Sequence, residues 1–145
     1  YGYALKFLRN SEDAQDIVQD VFEKLWVNRK KVEVEKAKSW MFTTAHNTMI
    51  NFLNRSKRSV DIETITVSEI IKVDVNSFES HEVVQRAVAI LPATQRSIIL
   101  LRDLEGYSYG EIGEILNISE SQVKVYLFRA RKKIKKQLKG QVELV

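Results

Sequence analysis

The chain has 145 residues, 44% hydrophobic and 29% charged, with a formal net charge of +4. This is the balance of a globular protein and excludes a disordered one, and the length suits one ordinary domain or two small ones. Zero cysteines exclude disulfides and cysteine-ligated metal sites, which fits a reducing compartment and an expected cytoplasmic location. No apolar run approaches the roughly 18 residues of a membrane span, and no signal peptide opens the sequence. Helical patterning is already running at Tyr1, so the native N-terminus is expected to lie upstream. One proline and five glycines punctuate the chain, which suits long helices with few turns. The expected fold is all-α, with two small helical domains joined by a linker.

The first clear helix starts at Asn10 or Ser11, either of which can cap it, with Glu12 and Asp13 in the first turn. Ala14, Ile17, Val18, Val21, Phe22, Leu25 and Trp26 follow at helical spacing and predict a full apolar face. Asp13, Asp16, Asp20 and Glu23 share another face, with no lysine or arginine before Lys24. Like charges four residues apart repel slightly. Two readings stand here: a solvated face, or a docking face for a basic partner. The acids have no histidine in register, so nothing marks them as a catalytic or metal site.

A second helix is expected from about Ala37 to Arg58, with Met41, Thr44, Ala45, Thr48, Phe52 and Leu53 inward. Asn47, Asn51, Asn54, Arg55 and Arg58 form a polar stripe that ends in the basic cluster Arg55-Ser56-Lys57-Arg58. Amides can bond base edges, arginines can neutralise phosphates, and Trp40 can stack on an unpaired base. A solvated helix with Trp40 in the core explains the same pattern. His46 reads as a surface or packing residue. Between about Ser59 and Asn76 the chain reads as a linker, with Val60 to Val67 alternating as a short extended piece would.

Helical patterning returns from about Phe78 with Val84, Ala87, Val88 and Leu91. Pro92 marks a boundary that can start the next helix. Ile98, Ile99, Leu101 and Leu104 continue the core to a stop at Glu105-Gly106. Ser108 with Glu111 and Ser119 with Gln122 are two capping boxes, and Asn117 sits between them where a turn needs positive φ. Gly113 is small, as a close helix crossing requires, and Ile112, Leu116, Ile118 and Val123 supply a shared core. These spacings predict a helix-turn-helix. Its second helix carries Val123, Leu127, Ala130, Ile134 and Leu138 inward. No acidic residue interrupts Ser121 to Val142. Gln122, Lys124, Tyr126 and Arg129 are expected to face outward as base-edge readers, and Arg131, Lys132 and the later lysines to meet phosphates.

Taken together, Leu91 to Arg96, Leu104 to Gly113 and Val123 to Lys133 resemble region 4 of extracytoplasmic-function sigma factors. Asp13 to Trp26 resembles the polymerase-binding helix of their region 2, and Trp40 to Asn47 with Asn51 to Arg55 resembles its promoter-melting part. The resemblance implies region 2 over residues 1–58, a linker over 59–78 and region 4 over 79–140. It implies that Asp13, Asp16, Gln19, Asp20 and Glu23 dock bacterial core RNA polymerase. Trp40, Asn47, Asn51, Arg55, Lys57 and Arg58 would then meet the −10 element of promoter DNA. Gln122, Lys124, Tyr126, Arg129, Arg131 and Lys132 would meet the −35 element. An anti-sigma factor, typically membrane-bound, is the further partner implied.

The sequence departs from the family pattern in two places. Gln122-Val123-Lys124-Val125-Tyr126 stands where Thr-Val-Lys/Arg-Ser-Arg is common, and Asn51 stands where an aspartate is common. Neither promoter preference can therefore be borrowed. Two rival readings are a stand-alone helix-turn-helix regulator and an electrostatic nucleic-acid clamp. An enzyme is the weakest reading, because there is no Gly-rich phosphate loop, nucleophile–base pair or metal-ligand spacing. No cofactor and no small-molecule substrate are expected.

Overall fold

The computed structural model describes residues 1–59 and 80–143, with side chains described for residues 1–56 and 82–140. All of the regular structure among them is helical. The alternating stretch Val60 to Val67, and nearly all of the expected linker, fall outside the described residues.

The first half holds α1 (Gly2–Leu8), α2 (Ser11–Val27), a short 3-10 turn (Val34–Lys36) and α3 (Ala37–Ser59). The chain turns from α1 into α2 at Arg9, which adopts a left-handed conformation with φ 56° and returns its N–H to Leu5 O. Asn10 then caps α2, its side chain accepting the Asp13 N–H at 3.0 Å. The second half holds α4 (Ser80–Ala89), α5 (Ala93–Ile99), a π turn (Leu100–Leu104), α6 (Tyr109–Leu116) and α7 (Glu120–Glu143). Pro92 immediately precedes α5 and supplies no N–H that the helix would leave unpaired.

The helix-turn-helix is assembled by local chemistry. Ser108 Oγ accepts the Glu111 N–H at 3.2 Å while Glu111 accepts the Ser108 N–H at 3.1 Å. Hydrogen bonding from the Ser108 backbone N–H, and then from its side chain, holds the Glu111 carboxyl below its ordinary pKa. Ser119 and Gln122 exchange the same pair of bonds at 3.1 and 2.9 Å. Asn117 ends α6 at φ 57°. A Cβ on Gly113 would lie 2.8 Å from the Ile118 carbonyl oxygen. The close approach is thus by the turn's own backbone, not by a crossing helix.

One apolar cluster runs through both halves, from Tyr3, Phe7, Ile17 and Met49 to Ile98, Leu101, Ile112 and Val123. Two residues assigned to the core, Val84 and Leu104, are exposed, and Leu100 is buried instead. The π turn accounts for Leu104: its wider winding rotates the following side chains out of α-helical register.

The halves meet along α1 and α3. Tyr3 in α1 and Ser97 in α5 share a hydroxyl–hydroxyl bond of 2.7 Å, and His46 Nδ1 bonds the same Ser97 Oγ. Ser97 has one proton to give, so it can donate to only one of these neighbours. Burial lowers the His46 pKa to about 4 and raises that of Tyr3, which keeps both groups neutral near pH 7. Arg96 donates to Phe7 O at 3.0 Å and lies over the Phe7 ring. Phe42 meets Tyr107 edge-on, and Thr43 Oγ1 donates to Ile115 O at 2.8 Å. His46, read from sequence as a surface or packing residue, is a buried member of this interface.

Candidate functional site

Helix α2 does not bury the whole apolar face its periodicity predicts. Ala14, Ile17 and Val21 are buried, and Val18 and Leu25 are half-buried. Phe22 and Trp26 are 57% and 67% exposed, with Val27 beyond them. The cause is the width of the contact: α1 and α3 cover only the Ala14–Ile17–Val21 side. Phe22 and Trp26 instead line an open groove with Tyr1, Gln19 and Glu23. Asp16, Gln19, Asp20 and Glu23 are exposed, and Asp13 is half-buried. The helix thus shows water an acidic strip beside an aromatic one. Arg29 closes its far end, donating to Trp26 O at 2.8 Å with its guanidinium 4.2 Å from the Trp26 ring centroid.

Helix α3 turns Asn47, Asn51, Asn54 and Arg55 to solvent. Asn47, Asn51 and Arg55 follow each other at i, i+4 and so form one row. Trp40 is half-buried, with the neighbouring Lys38 5.6 Å from the Tyr107 ring and Thr43 bonded to α6. The end of α3 that carries Trp40 therefore lies against the second half, while the asparagine row stays open. The side chains of Lys57 and Arg58 lie outside the described residues. Met49, fully buried, was absent from the predicted inner face.

Helix α7 buries Val123, Leu127 and Ala130 against the rest of the second half. Lys124, Arg129, Arg131 and Lys132 are exposed. Lys124 lies 4.0 Å from Glu120, and Arg131 donates to Asp103 at 3.3 Å. Both pairs are exposed, so neither holds its cation strongly. Of the expected outward residues one is placed differently from the prediction. Tyr126 is half-buried against the core, because its position flanks the Val123–Leu127 stripe. Gln122 is exposed, but its amide oxygen is engaged by Ser119. Sequence reasoning also passed over two outward residues, Val125 at 45% and Phe128 at 69% exposure. The signal available was that neither falls on the Val123–Leu127–Ala130 spacing.

Among the described residues no helix is long and apolar enough to cross a membrane.

Residues 1–59 match the family description "Sigma-70 region 2", and residues 81–134 match "Sigma-70, region 4". The chain is 34% identical over 142 residues to the RNA polymerase sigma factor SigV of Bacillus subtilis, covering 95% of this chain and 83% of that protein. It is 29% identical over 139 residues to the ECF RNA polymerase sigma factor SigM of the same organism, covering 93% and 85%. Among solved structures it resembles the sigma factor RpoE of Bartonella quintana, crystallised with the anti-sigma factor NepR. The TM-score is 0.75 at 25% identity, over 95% of this chain and 88% of that one. The chain therefore belongs to the extracytoplasmic-function (ECF) family of RNA polymerase sigma factors, which direct core polymerase to specific promoters for transcription initiation.

Proposed function

We propose that the acid-and-aromatic face of α2 is the polymerase docking surface, that the asparagine row of α3 reads the −10 element, and that α7 reads the −35 element. The observation that carries this is the exposure of Phe22 and Trp26 beside Gln19 and Glu23. Exposed aromatics next to charge mark a surface built for a partner. The acids Asp16, Asp20 and Glu23 select a basic partner surface, and the aromatics supply the buried contact area. Asn47, Asn51 and Arg55 combine two amides for base edges with a cation for phosphate, and half-buried Trp40, earlier on the same helix, offers part of its ring for stacking. On this reading the chain works by binding alone in the cytoplasm and performs no chemistry of its own. The domain limits 1–58 and 79–140 follow the same division.

Promoter length adds a mechanical step. Positions −35 and −10 lie 25 base-pair steps apart, roughly 85 Å of duplex at about 3.4 Å per step. A compact chain of this length spans only about 40 Å. The contact between the halves at Tyr3, Ser97 and His46 must therefore open before both elements are held at once. The similarity in overall arrangement to an RpoE crystallised with NepR fits a closed, non-reading state. An anti-sigma factor acting on this chain would be one that favours closure.

Binding of fluorescent full chain to purified core polymerase tests the docking face. Trp26→Ala should weaken binding by about 30-fold, the loss of a central aromatic anchor. Asp16→Lys should weaken it further. Helical content and unfolding midpoint should stay unchanged, because both side chains are exposed. Wild-type affinity in both variants would overturn the assignment of α2.

A further inference from the structure

We infer that Val125 and Phe128 make −35 recognition depend on thymine, through contact with its 5-methyl group. The inference rests on the reading of α7 as the −35 helix and adds a specificity determinant to it. Val125 lies about 200° around the helix from Val123, at 100° per residue, and so almost opposite the buried stripe. Phe128 follows at i+3, on the same outward side. Both are substantially exposed, at 45% and 69%. Their neighbours Lys124, Arg129 and Lys132 are cations in water. A valine and a phenylalanine on that face give nothing to core packing and nothing to a phosphate.

The major groove offers donors and acceptors on every base edge and one apolar feature, the thymine methyl. That methyl is the group an outward valine on this helix can recognise. The hydrogen-bonding residues at the start of α7 leave room for such reading. The Gln122 amide oxygen takes the Ser119 N–H at 2.9 Å and the Ser119 hydroxyl at 3.3 Å, so a two-bond pair with adenine would compete with the helix cap. Tyr126 packs against the core. Lys124 leans toward Glu120 and lies 6.0 Å from the Tyr109 ring. Polar reading is reduced where apolar reading is increased, and Val125 occupies the position where serine is common in the family pattern.

The test uses the full chain reconstituted with core polymerase. Duplexes preferred at −35 are selected from a randomised pool, and each thymine in them is then replaced by deoxyuridine, which removes only the methyl. At one or two positions the loss should weaken binding about fourfold, the value of one buried methyl. Val125→Ser should bring that ratio close to one at its position while leaving the fold intact. Phe128→Ala should do the same at a neighbouring position. Equal binding of thymine and deoxyuridine at every position would overturn the proposal, as would a ratio that neither variant changes. Arg129→Ala and a scrambled −35 element separate this from failure of the −35 reading. If both weaken binding and deoxyuridine does not, only the methyl contact is wrong. If neither weakens binding, α7 does not read −35 and the methyl proposal falls with it.

Discussion

Helices α2 and α7 both hold aromatic side chains in water, and they do so on backgrounds of opposite charge. Around Phe22 and Trp26 the exposed ionic residues include Asp16, Asp20 and Glu23. Around Val125 and Phe128 they are Lys124, Arg129, Arg131 and Lys132. Charge acts at long range and, on the proposed reading, would select the class of partner, a basic protein surface in one case and a polyanion in the other. Apolar contact acts only on touching and discriminates within the class. The same two-part design thus appears at both ends of the molecule with its sign reversed. A count of charges alone would have missed the exposed apolar residues that lie within both faces.

One of these faces can be lost while the other is kept. Gly113→Val should have the largest effect, because a branched side chain would be driven into the Ile118 carbonyl, already 2.8 Å from a first added carbon. A loss of about 3 kcal/mol is expected, read from the urea midpoint, together with loss of −35 binding. Docking on core polymerase through α2 should survive below the new melting temperature.

Ser97→Ala acts on the contact between the halves and leaves both faces intact. It strips Tyr3 and His46 of their shared partner in a fully buried place, at a cost of about 2 kcal/mol to the closed arrangement. Energy transfer between dyes on Glu12→Cys and Lys133→Cys reports it, since the chain has no other cysteine. A fall in transfer is expected, with polymerase affinity equal or higher.

Acidification reaches the same contact reversibly. His46 titrates at about 4 when buried, against 6.5 when free. The closed arrangement binds fewer protons, so its stability is complete above pH 6.5 and declines as pH falls toward 4. At pH 5.5 the loss is about 1 kcal/mol. The same dye pair should show it, and His46→Gln should flatten the profile.

The smallest effect belongs to Lys132→Ala. Removal of one phosphate contact should lower promoter affinity severalfold for every sequence alike and reduce the salt slope by about one. A sequence-dependent loss would move Lys132 from the charged background to the reading set.

The second half was largely legible in the sequence because its determinants are three or four residues apart. The capping boxes at Ser108 and Ser119 and the left-handed Asn117 need no knowledge of the rest of the chain. Where the structure departs from expectation, the missing information is long-range. Periodicity identified an apolar stripe on α2, but α1 and α3 decide how much of it is covered, and they leave Phe22 and Trp26 outside. Nothing local links Tyr3 to Ser97, 94 residues away. The π turn shifts a register that α-helical counting carries through unchanged, which is why Leu104 was assigned inward. The acidic and basic faces could be named from sequence as surfaces. The apolar residues within them could be found only once burial was known.

If the halves open as proposed, the bonds joining Tyr3, Ser97 and His46 would also act as a gain control. Whatever fraction of free molecules is open, apparent affinity for any ligand that needs the open form falls in proportion to it, so weakening closure by about 2 kcal/mol would raise that affinity by up to about 30-fold. A change at Ser97, which belongs to neither proposed DNA-reading face nor the docking face, would then shift the concentration at which every promoter responds without altering their order of preference.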